Sequence, residues 1–350
     1  MKDFGDSCPG CGACSQVCPF LAEYGTPDRI LRERPEVSFY CTSCRRCDGI
    51  CPQNLSPSEA FFEVKRRLVQ QDAITSTVRK TLDRARKFAK TGHGFPFSYC
   101  QRADTVFWPG CGLAANHPGL VCKVRNILSR QLHRQVGLVL DCCYAPVHGL
   151  GDTETAFAAL RETGKRLQGH GVRQVITGCL HCHKLLSEQI ANIEFVFILE
   201  ALPLEIFEKQ QMGSISLHHP CPSSRWEMIR NKARVLVDNT HPSPGTNIKA
   251  LPMTESATAR CCGIGGNLNT LYPEMADRFL DQITGRGKNG TIVTYCIGCQ
   301  NSLIKRGVEA IHLLEWLPGV KRRLTIPSPA RKWINRFSLA TIERLKKEKP

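Results

Sequence analysis

The sequence has no long apolar run, no apolar segment at its start and no nucleotide or flavin fingerprint. The most apolar windows are short or contain glutamates, as in Ile193–Phe207, whereas a membrane-spanning helix needs about 20 mostly apolar residues. The first residues, MKDFGDSC, lack the apolar region of a secretory signal peptide. Gly263–Gly266 lacks the strand and helix that flank a phosphate-binding glycine loop. We therefore expect neither an integral membrane protein nor a secreted disulfide scaffold, and no flavin or nucleotide in this chain.

Acidic residues are few relative to basic ones. Lys and Arg number 47 against 31 Asp and Glu, which gives a formal net charge of +16. Many of the basic residues fall in 321–350, which we interpret as a basic C-terminal tail. Such a tail could form an amphipathic helix that contacts a membrane surface or a membrane-bound subunit, or it could be a solvated, frayed segment. Basic charge alone identifies no specific nucleic acid as a ligand, and we expect none.

Cysteine is present in excess, with 20 in 350 residues. In a reducing compartment this density indicates metal or redox chemistry. Eighteen of the cysteines fall into four groups, and the four groups form two internal duplications.

The first duplication is a pair of C-x2-C-x2-C-x3-C-P runs. The runs contain Cys8, Cys11, Cys14 and Cys18, then Cys41, Cys44, Cys47 and Cys51. Two-cluster ferredoxins have this spacing, with three cysteines of one run and the last cysteine of the other run on each [4Fe–4S] cube. We therefore predict two cubane clusters, one on Cys8, Cys11, Cys14 and Cys51 and one on Cys41, Cys44, Cys47 and Cys18. Zinc fits this spacing poorly, because a zinc ion takes four ligands, typically from two separated C-x2-C pairs.

The second duplication repeats the order of one cysteine, an adjacent pair and a C-x2-C. The first copy contains Cys111, Cys142, Cys143, Cys179 and Cys182, and the second contains Cys221, Cys261, Cys262, Cys296 and Cys299. Five thiols per copy exceed what one zinc ion or one simple cube needs. Adjacent side chains point to opposite sides of an extended strand, so each cysteine pair needs a bent turn to serve one site.

This duplicated pattern resembles the cysteine-rich CCG domain of heterodisulfide reductases and related iron–sulfur oxidoreductases. Together with the first duplication, residues 5–318 are similar in layout to the D-type subunit of heterodisulfide reductase, or to its C-type and B-type subunits fused. The resemblance implies that each copy holds a non-cubane [4Fe–4S] cluster through its five cysteines, which would form the catalytic sites. A single non-cubane cluster, plain cubanes or zinc are the alternatives. Tyr144 and His219 depart from the family, which usually has glycine after the first pair and Asp-Pro-Cys at the start of a copy.

Apolar runs typical of strands alternate with helical patterns in the second part of the chain. The predicted strands are 105–108, 136–141, 174–177, 195–199, 214–218 and 291–295, and the predicted helices are 119–134, 152–170, 224–237 and 273–284. They predict an α+β architecture in which an α-helical two-cluster ferredoxin module precedes two pseudo-symmetric α/β CCG domains. The predicted boundaries are 1–60 for the module, 61–102 for a basic helical connector, 103–205 and 206–320 for the CCG domains, and 321–350 for the tail.

Five histidines lie close in sequence to the cysteines of the second duplication: His148, His181, His183, His218 and His219. They could donate protons to a departing thiolate or tune a cluster. We interpret them as structural or solvated side chains, which is the more common role.

The resemblance implies an oxidoreductase subunit in the cytoplasm, with the inner face of the membrane as an alternative location. Electrons from a flavoprotein or another donor subunit would pass singly through the cubanes to the non-cubane clusters, where a disulfide is cleaved. The alternative function is a relay without substrate chemistry. Such a relay would connect a flavin-dependent dehydrogenase of the glycolate, lactate or glycerol-3-phosphate type to a quinone-linked subunit or a membrane cytochrome.

Overall fold

The computed structural model describes residues 4–92, 103–240, 260–284 and 290–345. The end of the predicted connector, 93–102, and the last residues of the predicted tail, 346–350, lie outside the described residues. None of the helices within the described ranges is long and apolar enough to cross a membrane.

The N-terminal region is helical and contains the first duplication. Its α-helices are α1 (Phe4–Ser7), α2 (Pro19–Tyr24), α3 (Pro27–Glu33), α4 (Pro57–Gln70) and α5 (Ser76–Thr91). Three 3-10 helices, Ala13–Gln16, Pro35–Tyr40 and Asp48–Ile50, lie between them. Several of these elements begin with proline, whose fixed φ and missing N–H suit the first turn of a helix. Most of the described residues of the predicted connector lie in α4 and α5, and α4 begins before the predicted boundary at residue 61.

The first repeat contains four parallel strands in the order β2-β1-β3-β4. The strands are β1 (Thr105–Trp108), β2 (Val136–Leu138), β3 (Gln174–Thr177) and β4 (Glu194–Phe197). The helices are α6 (Gly110–Asn116), α7 (Pro118–Gln131), α8 (Ala145–Gly149), α9 (Thr153–Gly169), α10 (Leu180–Gln189) and α11 (Ile198–Ala201), followed by a 3-10 helix, Leu204–Ile206. β1 is buried along its whole length, as expected for a parallel strand covered on both faces.

The second repeat has a smaller parallel sheet in the order β5-β6-β7. The strands are β5 (Ile215–His218), β6 (Thr291–Thr294) and β7 (Ala310–His312). The α-helices are α12 (Glu227–Thr240), α13 (Leu268–Leu271), α14 (Pro273–Thr284) and α15 (Ile297–Lys305), and the 3-10 helices are Cys221–Arg225, Gly265–Asn267 and Leu313–Trp316. In each repeat the C-x2-C motif begins the helix that follows a central strand.

The predicted elements of the two repeats are confirmed in type, with differences at their ends. The predicted strand 136–141 is too long, because β2 ends at Leu138, and the predicted strand 195–199 is wrong in its last two residues, which begin α11. β7, which is three residues long, was not predicted.

The C-terminal segment forms a helix, α16 (Pro329–Leu345), that packs against α6. Asn335, Arg336, Leu339 and Ala340 are buried, and Asn335 Nδ2 donates a hydrogen bond of 2.7 Å to the Ala115 carbonyl. This segment is therefore helical, and one face of the helix packs on the rest of the protein.

A shared hydrophobic core joins the two repeats. It contains Phe107 and Ile176 from the first sheet, Leu217 and Val293 from the second, and the fully buried Trp316. A second cluster joins the N-terminal region to the second repeat. Burying each large apolar side chain contributes about 1.5–3 kcal/mol, so these clusters hold the three regions together.

Candidate metal centres

The first four cysteines predicted to share a cubane surround one small cavity. Cys8, Cys11, Cys14 and Cys51 all line it. The chain wraps around the cavity because Gly10 and Gly12 adopt φ values of 65° and 74°, which other residues rarely adopt. Burial, together with the nearby thiols of the same set, raises the pKa of Cys14 to about 11.

The second predicted set surrounds a separate cavity. Its lining includes Cys18, Cys41, Cys44 and Cys47, and also Cys261 of the second repeat. Burial raises the pKa of Cys47 well above its usual value, and the neighbouring Cys41 and Cys44 thiols add to this effect. The structure thus brings together the members of both predicted N-terminal sets, although the sequence separates them by up to 43 residues (Cys8 to Cys51).

The five cysteines of the first repeat come together at the carboxyl ends of neighbouring parallel strands. Cys111 follows β1, the pair Cys142 and Cys143 follows β2, and Cys179 follows β3. Cys182 lies one turn into α10, and its thiol donates to Cys143 Sγ at 3.1 Å. The carboxyl end of a parallel sheet is where α/β folds commonly place their sites.

The second repeat reproduces this arrangement. Cys221 follows β5, Cys296 precedes α15, and the Cys299 thiol donates to Cys262 Sγ at 3.2 Å. A hydrogen bond with Cys261 lowers the pKa of the Cys221 thiol, but burial and the nearby Cys262 and Cys296 thiols raise it overall, so the five thiols of this copy are also neighbours.

The residue after each cysteine pair has a left-handed backbone. Tyr144 has a φ of 57° and Gly263 a φ of 80°. In both turns the backbone N–H of this residue donates to the sulfur of the first cysteine of the pair, at 3.4 Å to Cys142 and 3.3 Å to Cys261. Tyr144 therefore makes the same turn as Gly263 although it is not glycine, at a cost of about 1–3 kcal/mol in backbone strain.

The second five-cysteine group directly contacts the N-terminal region. The Cys261 thiol donates to Thr42 Oγ1 at 3.3 Å, and interaction with Cys261, together with burial, raises the pKa of Cys44. Gly265 lies so close to the Thr42 carbonyl that any side chain at this position would overlap it. This contact explains why residue 265 is a glycine.

The two five-cysteine groups meet at His181. Burial disfavours its charged form, but a hydrogen bond with Cys179 and the nearby Cys296 raise the pKa of His181 to about 9. The pKa of Cys179 is lowered well below its usual value, with the Cys182 hydrogen bond as the largest cause.

A cavity of about 400 Å³ opens beside these groups, between the N-terminal region and the two repeats. Cys221 of the second group lines it, and so does His181, which hydrogen-bonds Cys179 of the first group. Charged side chains surround the opening: Arg225 pairs with Glu59 at 3.8 Å and with Glu188 at 3.6 Å. The cavity is large enough for a small-molecule ligand.

The other candidate histidines differ in role. His183 Nδ1 lies 3.0 Å from Thr177 Oγ1 and His219 Nδ1 lies 2.8 Å from Tyr295 Oη, so both have structural partners. His218 is buried, whereas His148 lines the cavity beside His181. The structural interpretation therefore suits His183, His218 and His219. The position of His181 between the two five-cysteine groups depends on the fold and could not be predicted from the sequence.

The donor chemistry fits iron–sulfur clusters. Each of the four sets offers several thiols, the ligands that such clusters use, and most of these thiols are buried. The raised pKa values at most of these positions mean that cation binding would have to displace the thiol protons, as is usual for metal sites.

Comparison with known proteins agrees with this chemistry. Residues 105–187 and 216–304 match the CCG family model, described as a cysteine-rich domain. A protein of Archaeoglobus profundus, named as similar to the C-type subunit of heterodisulfide reductase, is 32% identical over 38% of this chain and 76% of its own length. The chain belongs to the heterodisulfide reductase-like family of iron–sulfur proteins.

Longer but weaker similarities extend over most of the chain. The B subunit of a fumarate reductase (CoM/CoB) from Methanothermobacter marburgensis is 21% identical over 89% of this chain and 71% of its own length. An uncharacterized iron–sulfur protein of Methanocaldococcus jannaschii is 20% identical over 77% of this chain and 61% of its own length. The chain thus spans between 61% and 76% of the lengths of these three relatives. At family level it is an iron–sulfur protein of an oxidoreductase system.

Proposed function

We propose that the chain is an electron-transferring iron–sulfur subunit that reduces a disulfide in the cavity between its three regions. The observation that carries the proposal is that this cavity is lined by Cys221 of the second five-cysteine group and by His181, which hydrogen-bonds Cys179 of the first. A protein that only relayed electrons would not need a ligand-sized cavity at this position. Thr42 lines both this cavity and the cavity of the second N-terminal set, which contains Cys18, Cys41, Cys44 and Cys47.

We assign the ligands as the cysteine pattern predicts. Two cubane clusters would be held by the two N-terminal sets, and two non-cubane clusters by the two five-cysteine groups. When bound, these groups would supply single-electron transfer and, at the five-cysteine groups, the reduction of sulfur.

The chain's own residues position the substrate and supply protons. Reduction of one disulfide takes two electrons and two protons and yields two thiols. His181 and His148 line the cavity and are the imidazoles placed to exchange these protons. Arg225 and Lys184, which pair with Glu188 at 3.6 and 3.4 Å, border the same space and orient a polar substrate.

We infer that a partner subunit, such as a flavoprotein, delivers the electrons. Two of the relatives are named as subunits or subunit-like proteins, which supports assembly with other chains. The proposed location is the cytoplasm or the inner face of the membrane.

A relay between a flavin-dependent dehydrogenase and a quinone-linked or cytochrome partner is the second candidate. The observation in its favour is the outer face of α16, where Ile334 and Phe337 are 53% and 55% exposed. Apolar side chains exposed together on one helix face offer a surface for a partner.

The experiment is an anaerobic redox titration followed by EPR, with and without a small thiol such as 2-mercaptoethanol. If disulfide chemistry occurs in the cavity, a paramagnetic signal will appear on oxidation only when thiol is present. Ser224 lines the cavity, so Ser224→Trp should weaken this thiol-dependent signal at least tenfold by filling the space.

Ser187→Trp is the matched control, because Ser187 is exposed on α10 and does not line the cavity. It should leave the thiol-dependent signal at the level of the unaltered chain. Signals that arise only on reduction and ignore thiol would favour the relay. A preparation that contains zinc instead of iron and sulfide would contradict both candidates.

A further inference from the structure

α16 lies outside both segments that match the cysteine-rich family model, yet it reaches the first five-cysteine group. The helix packs on α6, the helix that contains Cys111. Its Asn335 is anchored to the Ala115 carbonyl, four residues after Cys111. The next residue on the buried face is an arginine.

Arg336 is one of the largest fully buried side chains in the described part of the chain, with 2% of its surface exposed. Its guanidinium carbon lies 5.2 Å from the ring centre of Phe88 and 5.1 Å from that of Trp333. Aromatic faces attract a cation, so this environment retains the positive charge away from water.

The guanidinium is beside the cysteines of the first group. A methyl group added at Gly92 would lie 2.8 Å from Arg336 Nη2 and 3.6 Å from Cys142 Cβ. The guanidinium and the Cys142 side chain are therefore both close to the same position beside Gly92.

We propose that Arg336 is a positioning residue whose buried charge raises the reduction potential of the cluster held by the first five-cysteine group. This inference rests on the proposed function, because it requires a cluster on those cysteines. Reduction adds one electron to the site, and no bond forms or breaks. A fixed positive charge in a medium of low dielectric constant favours the more negative, reduced form, and charge near a cluster is a known determinant of its potential.

The test is an EPR-monitored redox titration of the full chain carrying Arg336→Met. The variant removes the charge and keeps an apolar stem of similar length. At the midpoint potential of the unaltered chain, the ratio of oxidised to reduced first-group cluster should rise at least tenfold, which is about 59 mV for one electron. Arg336→Lys retains the charge and should shift this ratio less than threefold.

Two further variants separate charge from packing. Arg331→Met removes a charge from an exposed position of the same helix and should leave the potential unchanged. Trp333→Leu removes an aromatic partner of the guanidinium but not its charge, and its effect should resemble that of Arg336→Lys. A Trp333→Leu shift as large as that of Arg336→Met would overturn the proposal in favour of a packing role.

Two other results would also overturn the proposal. One is an unchanged potential in Arg336→Met. The other is a combined result in which Arg336→Met and Arg336→Gln both lose the first-group signal while Arg336→Lys retains it. Such a result would mean that the charge is needed to hold the cluster. Failure of the ligand assignment in the proposed function looks different: Cys111→Ser would then leave the EPR spectrum and iron content of the chain unaltered. Failure of the proposed disulfide reduction would show as EPR signals that ignore thiol.

Discussion

At Gly110 the chain turns from β1 into α6 with a φ of 78°. A Cβ at this position would lie 2.9 Å from Cys179 Cβ and 3.3 Å from Cys182 Sγ. The glycine therefore serves two purposes: it allows the left-handed turn, and it lets Cys179 and Cys182 approach the start of α6. Because this constraint involves the cysteine group itself, substitution here affects the candidate site as well as the backbone.

We expect Gly110→Ala to destabilise the protein by about 1–3 kcal/mol through backbone strain and also to reduce the iron bound by the first five-cysteine group. The measurements are urea unfolding under anaerobic conditions and iron content per chain. Gly171→Ala is the control, since Gly171 has a φ of 75° but a Cβ there would meet no atom within 4 Å. It should cost similar stability without loss of iron, and equal iron loss in both variants would contradict the explanation.

On the scale of secondary-structure elements, a buried polar network connects the two repeats. The carboxylate of Glu315, in the 3-10 helix after β7, lies 3.0 Å from His117 Nε2 at the start of α7 and accepts a 2.7 Å hydrogen bond from Gln300 of α15. Arg323 donates to Gln300 Oε1 at 2.7 Å. Burial opposes the charged carboxylate, but its hydrogen bonds with His117 and Gln300 lower the pKa of Glu315 overall.

Replacing Glu315 by Gln should therefore cost about 1.5–3 kcal/mol of stability at pH 7, the range for hydrogen bonds to a charged group. Because the folded-state pKa is lowered, the stabilisation is present above the unfolded value of about 4.3 and is lost as the pH falls through the folded value. The difference between Glu315→Gln and the unaltered chain should thus shrink on acidification. Urea midpoints at several pH values measure the stability difference between Glu315→Gln and the unaltered chain. Glu309→Gln, at an exposed position near β7, should be as stable as the unaltered chain at every pH.

On the scale of the whole molecule, the N-terminal region is packed onto the second repeat. The rings of Tyr40 and Tyr272 stack with centres 3.6 Å apart, and Arg46 Nη1 donates to Gln282 Oε1 of α14 at 2.5 Å. The N-terminal cysteine sets are therefore held against the second five-cysteine group by contacts that do not involve cysteine.

A double-mutant cycle on Tyr40→Leu and Tyr272→Leu should give a coupling free energy of about 0.5–1.5 kcal/mol, as for other aromatic pairs. Urea unfolding of the two single variants and the double variant measures it. The pair Tyr40→Leu and Phe207→Leu, whose side chains belong to different hydrophobic clusters, should instead be additive within about 0.5 kcal/mol. Additivity of the tyrosine pair would mean that the docking contact is absent in solution.

The sequence predicted what depends on local pattern. Cysteine spacing grouped the thiols that the structure brings together, and hydrophobic periodicity predicted most strands and helices of the repeats, because both signals extend over neighbouring residues. The contact of Cys261 with Thr42 spans 219 residues, and the approach of Arg336 to Cys142 joins a terminal helix to a strand end. No local pattern encodes such contacts. The ligand assignments themselves stay predictions.

The burial of Cys44 and Cys261 against each other has a consequence for how the protein matures. Neither thiol is open to an iron–sulfur carrier once the N-terminal region is docked, whereas Cys11 stays exposed. We therefore expect the sets that contain Cys44 and Cys261 to receive their clusters before docking, and the set that contains Cys11 to receive its cluster last. If the N-terminal region docks before the buried sets have received their clusters, the chain would remain without some of them. The rate of docking relative to cluster delivery would then determine the yield of complete protein in the cell.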